Sequence, residues 1–195
     1  FIMTEIMTEK IKAMLEESAN LKIISKKHVD KIYQCANLII NALKGNKKIL
    51  LCGNGGSCTQ ATHIAAEFIG RYKIERRALP AISLTTDQAA ITAIGNDYGF
   101  DSIFSRQIEA LGNEGDVLIA LSTSGNSKNI IKAVNTAKKM KIKVIGLLGK
   151  NGGNQKNLSD IEIIVSSDNT PRIQEAHLTI LHIICELVES ELFEK

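Results

Sequence analysis

Five short, mainly apolar runs punctuate the chain from residue 49 onward: Ile49–Cys52, Ala81–Leu84, Val117–Leu121, Val144–Leu148 and Ile161–Val165. Each is too short for an amphipathic helix and too continuously apolar for a strand with one wet face. Such runs suit strands of a parallel sheet covered on both sides. Between them lie stretches with helical spacing: Ser57–Ile69, Gln88–Ile94 with Ile103–Leu111, Ser127–Met140 and Ile173–Leu192. Strand and helix in alternation predict a doubly wound α/β domain. Asn151–Asn154 reads as a turn, and Thr170-Pro171 as the opening of the last helix.

Ahead of the first run the texture is helical. Ile11 and Leu15, then Val29, Ile32, Ala36, Ile39, Ile40 and Leu43, recur at three- and four-residue spacing. This predicts two helices broken between Asn20 and Lys27, the second stopped by Gly45. Residues 1–45 are thus expected to form a helical addition to the α/β domain of residues 46–195. Phe1 and Ile2 precede the first methionine, as the remnant of a removed tag would.

Composition narrows the function classes. With 44% hydrophobic and 23% charged residues, the chain has the apolar content that a disordered one lacks. Its 24 basic residues against 21 acidic ones are interspersed. The pairs Lys47-Lys48 and Lys138-Lys139 are too small to suggest a nucleic-acid surface. No run approaches the ~20 apolar residues that span a bilayer, and the start lacks the order of a secretory signal. Cys35, Cys52, Cys58 and Cys185 show neither C-x-x-C pairing nor zinc-finger spacing. They are expected to be buried, reduced thiols in a cytoplasmic protein.

Two loops stand out. The first strand runs into Gly53-Asn54-Gly55-Gly56-Ser57, and the third into Ser122-Thr123-Ser124-Gly125-Asn126-Ser127; a helix follows each. Glycine lets the backbone approach a ligand, and the hydroxyls add short donors. The helix behind each loop presents unsatisfied N–H groups to an anion. With strand order 2-1-3-4-5 the two loops would flank the crevice at the topological switch point. Nucleotide readings fail: Gly53-x-Gly55-x-x-Cys58 lacks the third glycine of the dinucleotide motif, and no Gly-Lys-Ser/Thr is present. A phosphomonoester suits these loops better.

A second constellation is helical. His63 and Glu67, four apart, share one helix face, as do Gln174 and His182, eight apart. Imidazole and carboxylate serve metal ligation or proton transfer equally well. His28 and His177 have no such companions and read as structural.

Taken together, Cys52–Ser57, His63-x-x-x-Glu67-x-x-Gly70-Arg71-Tyr72, Gly95–Phe100, Ser122–Ser127 and Arg172-Ile173-Gln174-Glu175-x-His177 resemble the phosphoheptose isomerases of the sugar isomerase (SIS) domain family. The resemblance implies a flavodoxin-like five-stranded sheet and conversion of sedoheptulose 7-phosphate to glycero-manno-heptose 7-phosphate, for bacterial lipopolysaccharide or capsule. It also implies a homotetramer and one zinc per subunit. By resemblance His63, Glu67, Gln174 and His182 are the metal set, with Glu67 and His182 as the proton shuttle. The implied substrate-binding set is Ser57, Ser122, Thr123, Ser124 and Ser127 for the phosphate, Asn54, Arg71 and Asp97 for the sugar hydroxyls or support of the site, and Gly55, Gly56 and Gln174. Two departures stand out: the stretch Cys58–Thr62, where relatives carry a small, acid-containing sequence, and Pro171, where some carry an acid. The competing readings are a non-catalytic SIS adaptor of the DnaA-associating type, which would lack the acid/base pair, and another sugar-phosphate aldose–ketose isomerase.

Overall fold

The apolar runs assemble into one parallel sheet, seen here in a computed structural model that describes residues 2–194. Phe1, part of the suspected tag remnant, lies outside them. The strands are β1 (Ile49–Gly53), β2 (Ala81–Ser83), β3 (Val117–Ser122), β4 (Lys143–Gly149) and β5 (Ile161–Val165). Their order is β2-β1-β3-β4-β5, as expected from the sequence, and every pairing is parallel. The register sets Gly53 opposite Leu121, so the loops leaving β1 and β3 are neighbours.

Alternation along the strands divides the interior into two halves. Ile49, Leu51, Ile119, Leu121 and Ile145 face α2 (Val29–Lys44), α3 (Gly56–Ile69) and α7 (Thr170–Phe193). Leu50, Cys52, Leu118, Ala120 and Val144 face the other side, toward α4 (Gln88–Tyr98), α5 (Ser105–Leu111) and α6 (Lys128–Lys139). Burial on both faces is what continuous apolar strands require.

Several boundaries differ from the pattern. The first helix, α1 (Ile2–Ile24), runs through Asn20 because Leu21 packs into the core; the break falls at the 3-10 turn Ser25–His28. Gly45 follows the last residue of α2 but keeps φ at −85°, and Asn46 takes the left-handed step at +56°. Asparagine tolerates that region better than most residues. α4 continues past Ile94 to Tyr98, where Gly99 at φ +82° ends it. All four cysteines are free; Cys35, Cys52 and Cys185 are buried, whereas Cys58 is only half-buried. Burial pushes those three thiols up to about 12. No helix among the described residues is long and apolar enough to cross a membrane.

Candidate active site

The β1 loop turns directly into α3, and at Gly56 the space a side chain would take is filled by the Gln174 amide. A β-carbon there would stand 2.5 Å from Nε2 of Gln174, near the start of α7. In the β3 loop Gly125 holds φ at +65°, and a β-carbon would strike the Gly152 carbonyl. The two loops are tied by a reciprocal amide pair: Asn54 Nδ2 donates to Asn129 Oδ1 (2.9 Å), and Asn129 Nδ2 donates to Asn54 Oδ1 (2.8 Å). Asn129 is buried in the first turn of α6, and its Oδ1 also accepts the Ile130 N–H.

Hydroxyls in these loops divide by depth. Ser57 and Ser122 are buried, and Ser122 Oγ accepts the Gly125 N–H at 3.0 Å, shaping the loop from beneath. Ser124 Oγ accepts the Asn126 N–H at 3.1 Å. Both hydroxyls keep a proton to donate. Thr123, Ser124 and Ser127 are partly exposed.

Farther along, α3 and α7 run together and bring His63, Glu67 and His182 into one group. Nε2 of His63 lies 3.0 Å from Nε2 of His182 and 3.3 Å from Oε1 of Glu67. One donor atom from each residue lies within 4.8 Å of the others. Burial lowers the His182 pKa, the charge of His63 lowers it further, and Glu67 opposes both. Donors held about 2 Å from a tetrahedral zinc stand about 3.3 Å apart, so this two-imidazole, one-carboxylate set fits such an ion.

The remaining expected residues are placed apart from this trio. Gln174 lies against Gly56, about two turns before His63 along α3, and its backbone carbonyl accepts from Gln60 Nε2 at 2.6 Å. Arg71 is exposed, with Nε 3.7 Å from Glu75 Oε2. Asp97 is exposed on α4 and accepts from Asn96 Nδ2 at 2.8 Å. Among the described residues neither hydrogen-bonds the trio. The Cys58–Thr62 departure is absorbed by packing: besides Gln60, the Thr62 hydroxyl meets that of Thr85 at 2.9 Å. Pro171 lies in the first turn of α7, where a missing N–H costs little. His28 and His177 are structural, bonded to the carbonyls of Ile164 and Leu148.

Sequence reasoning missed Asn129 and left Tyr72 without a role. Tyr72 stacks on His182 with ring centroids 5.6 Å apart. Its place beside the Arg71 motif is a faint signal, and no local pattern pairs residues 54 and 129.

Comparison with known proteins agrees with this geometry. The SIS domain family model matches residues 15–149. Phosphoheptose isomerase of Geotalea uraniireducens is 51% identical over 188 residues, covering 96% of this chain and 100% of that protein. Among solved structures, the phosphoheptose isomerase of Neisseria gonorrhoeae superposes with a TM-score of 0.88 at 43% identity, over 94% of this chain and 99% of that one. The enzyme from Francisella tularensis gives 0.90 at 42% identity, over 94% and 98%. On the strength of these matches over nearly the whole chain, the chain belongs to the SIS domain family, among the phosphoheptose isomerases.

Proposed function

We propose that this chain isomerises sedoheptulose 7-phosphate to D-glycero-D-manno-heptose 7-phosphate, the first step toward heptose for bacterial lipopolysaccharide or capsule. The observation that carries this reading is the Glu67–His63–His182 group between α7 and α3, the helix that begins at the β1 loop. Aldose–ketose exchange moves one proton between C1 and C2 and another between their oxygens, through an ene-diol. It needs a base beside carbon and an acid near oxygen. Glu67 and His182 form that pair.

Ser57, Ser122, Thr123, Ser124 and Ser127 anchor the phosphate, with Gly55 and Gly56 letting the backbone approach it. Binding energy gathered there becomes orientation at C1 and C2. Asn54, Arg71 and Asp97 hold sugar hydroxyls or support the site. In the zinc set of His63, Glu67, Gln174 and His182, His63 and Gln174 serve mainly as ligands and Glu67 and His182 mainly as the shuttle. Gln174, which rests against Gly56, would turn toward the trio to join it. The ion when bound would supply positive charge to the developing oxyanion. The N-terminal helices make the contacts of a cytoplasmic homotetramer. Ile6, Ile11, Leu15 and Ile24 support this, each more than half exposed in the single chain.

Sedoheptulose 7-phosphate assayed with and without a chelator tests the reading. Conversion that chelation abolishes and zinc restores is expected. A folded protein without conversion under either condition would move the chain to the adaptor class.

A further inference from the structure

Tyr72 occupies a connection without regular structure, yet the surroundings hold it tightly. One buried carboxylate, that of Glu189, accepts the backbone N–H groups of Tyr72 (3.0 Å), Lys73 (2.6 Å) and Ile74 (3.1 Å). It also accepts Nε of Arg76 at 2.9 Å. The Arg76 guanidinium turns back to the end of α3, donating to the carbonyls of Glu67 (2.8 Å), Phe68 (2.9 Å) and Gly70 (3.1 Å). Both side chains are almost wholly buried, at 2% and 3% exposure. Two charges removed from water are costly unless every polar atom is engaged. Here they are spent on fixing one loop. Burial alone would raise the Glu189 pKa, but the three N–H groups and Arg76 hold it below the usual carboxylate value.

The position of that loop is chemically specific. Glu189 follows His182 by seven residues, two turns along one face of α7. Arg76 grips the carbonyl of Glu67 itself. The clamp therefore joins the helix that carries one shuttle residue to the end of the helix that carries the other. Above it, the Tyr72 ring lies on the His182 imidazole with planes inclined by 30°, while His63 meets the same imidazole near edge-on, at 74°. A lone imidazole swings about its side-chain torsion. One held between two rings keeps its nitrogen on a fixed line, and proton transfer depends on that line.

We propose that Tyr72 is a positioning residue for His182, stacking on the imidazole to fix its plane, and that the Glu189–Arg76 clamp keeps Tyr72 there. The proposal rests on the isomerase reading above for its kinetic consequence. Tyr72→Phe and Tyr72→Leu separate the ring from its hydroxyl, and the half-exposed position lets both fold. Turnover of sedoheptulose 7-phosphate, thermal midpoints and the imidazole C–H resonances of His182 are measured on the purified protein.

Tyr72→Phe should keep kcat within about twofold and leave the His182 resonances in place. Tyr72→Leu should lower kcat about tenfold, the upper range of aromatic stacking, with KM and the thermal midpoint unchanged. It should also move the His182 resonances downfield as ring shielding is lost, and Arg76→Lys should move them the same way. Equal losses in Phe and Leu, or unmoved resonances in Leu, would overturn the role of the ring; unmoved resonances in Arg76→Lys would overturn that of the clamp. Absence of wild-type turnover would instead remove the isomerase reading, and the resonances would still decide whether Tyr72 fixes the imidazole.

Discussion

Glu67 and His182 approach His63 from different helices, so each can be changed without disturbing the other's backbone. Glu67→Gln keeps the size of the side chain and a carbonyl oxygen but cannot accept a proton at neutral pH; His182→Gln keeps polarity without titrating. General acid/base groups are worth roughly 10²–10⁴-fold, so both variants should lose kcat by that order while remaining folded. The double variant should lose little more, since either change breaks one relay. Metal content must be followed in parallel, because a lost ion would imitate a lost base. His177 gives a residue-scale prediction of a different kind. It is fully buried, and that burial lowers its pKa to about 4, against 6.5 for the free side chain. The unfolded chain therefore takes up the proton first. The stability that neutral His177 provides is complete above pH 6.5 and drains away as pH falls toward 4, by about 3 kcal/mol. Urea unfolding of wild type and His177→Gln from pH 7 to 4 should show a slope flatter by that amount in the variant. Parallel slopes would mean that His177 is protonated in the folded protein.

At the scale of elements, the chemistry depends on how α3 and α7 lie together, and Gly56 is where the Gln174 amide of α7 meets the start of α3. Gly56→Ala would push the Gln174 amide aside without touching backbone from another element. The thermal midpoint should stay within a few degrees while kcat/KM falls, by up to about 100-fold for a displacement near 1 Å. Steady-state kinetics beside a melting curve checks this; a normal kcat/KM would show that Gln174 need not occupy that place. The same pair of helices marks the limit of what the sequence discloses. Apolar runs and flanking loops revealed the strands and the α/β class, because burial on both faces leaves a local signature. His63 with Glu67, and Gln174 with His182, could each be put on one helix face by spacing alone. That the two faces meet is a tertiary fact, and only the family resemblance anticipated it. Asn54 with Asn129, and Arg76 with Glu189, join residues 75 and 113 positions apart, a separation at which local pattern carries no information. Helix ends slipped where a tertiary contact such as that of Leu21 outweighed local preference.

For the molecule as a whole, α1 leaves Ile6, Met7, Ile11, Leu15, Ile23 and Ile24 more than half exposed, and Met7, Ile11 and Leu15, four apart, make one apolar stripe among them. Light scattering should report a homotetramer, and the double substitution Ile11→Glu with Leu15→Glu should shrink it. A stable, active monomer would remove the assembly from the account and leave the trio's chemistry standing. The central proposal is that Glu67 and His182 move the proton between adjacent carbons of a heptose phosphate. The most direct measurement is conversion of sedoheptulose 7-phosphate in deuterium oxide, followed by NMR. A proton removed from C1 by an exchangeable base is replaced at C2 from solvent, so the aldose formed should carry deuterium at C2, and Glu67→Gln should form almost none. Product without deuterium at C2, or no product from a folded and zinc-loaded protein, would contradict the account.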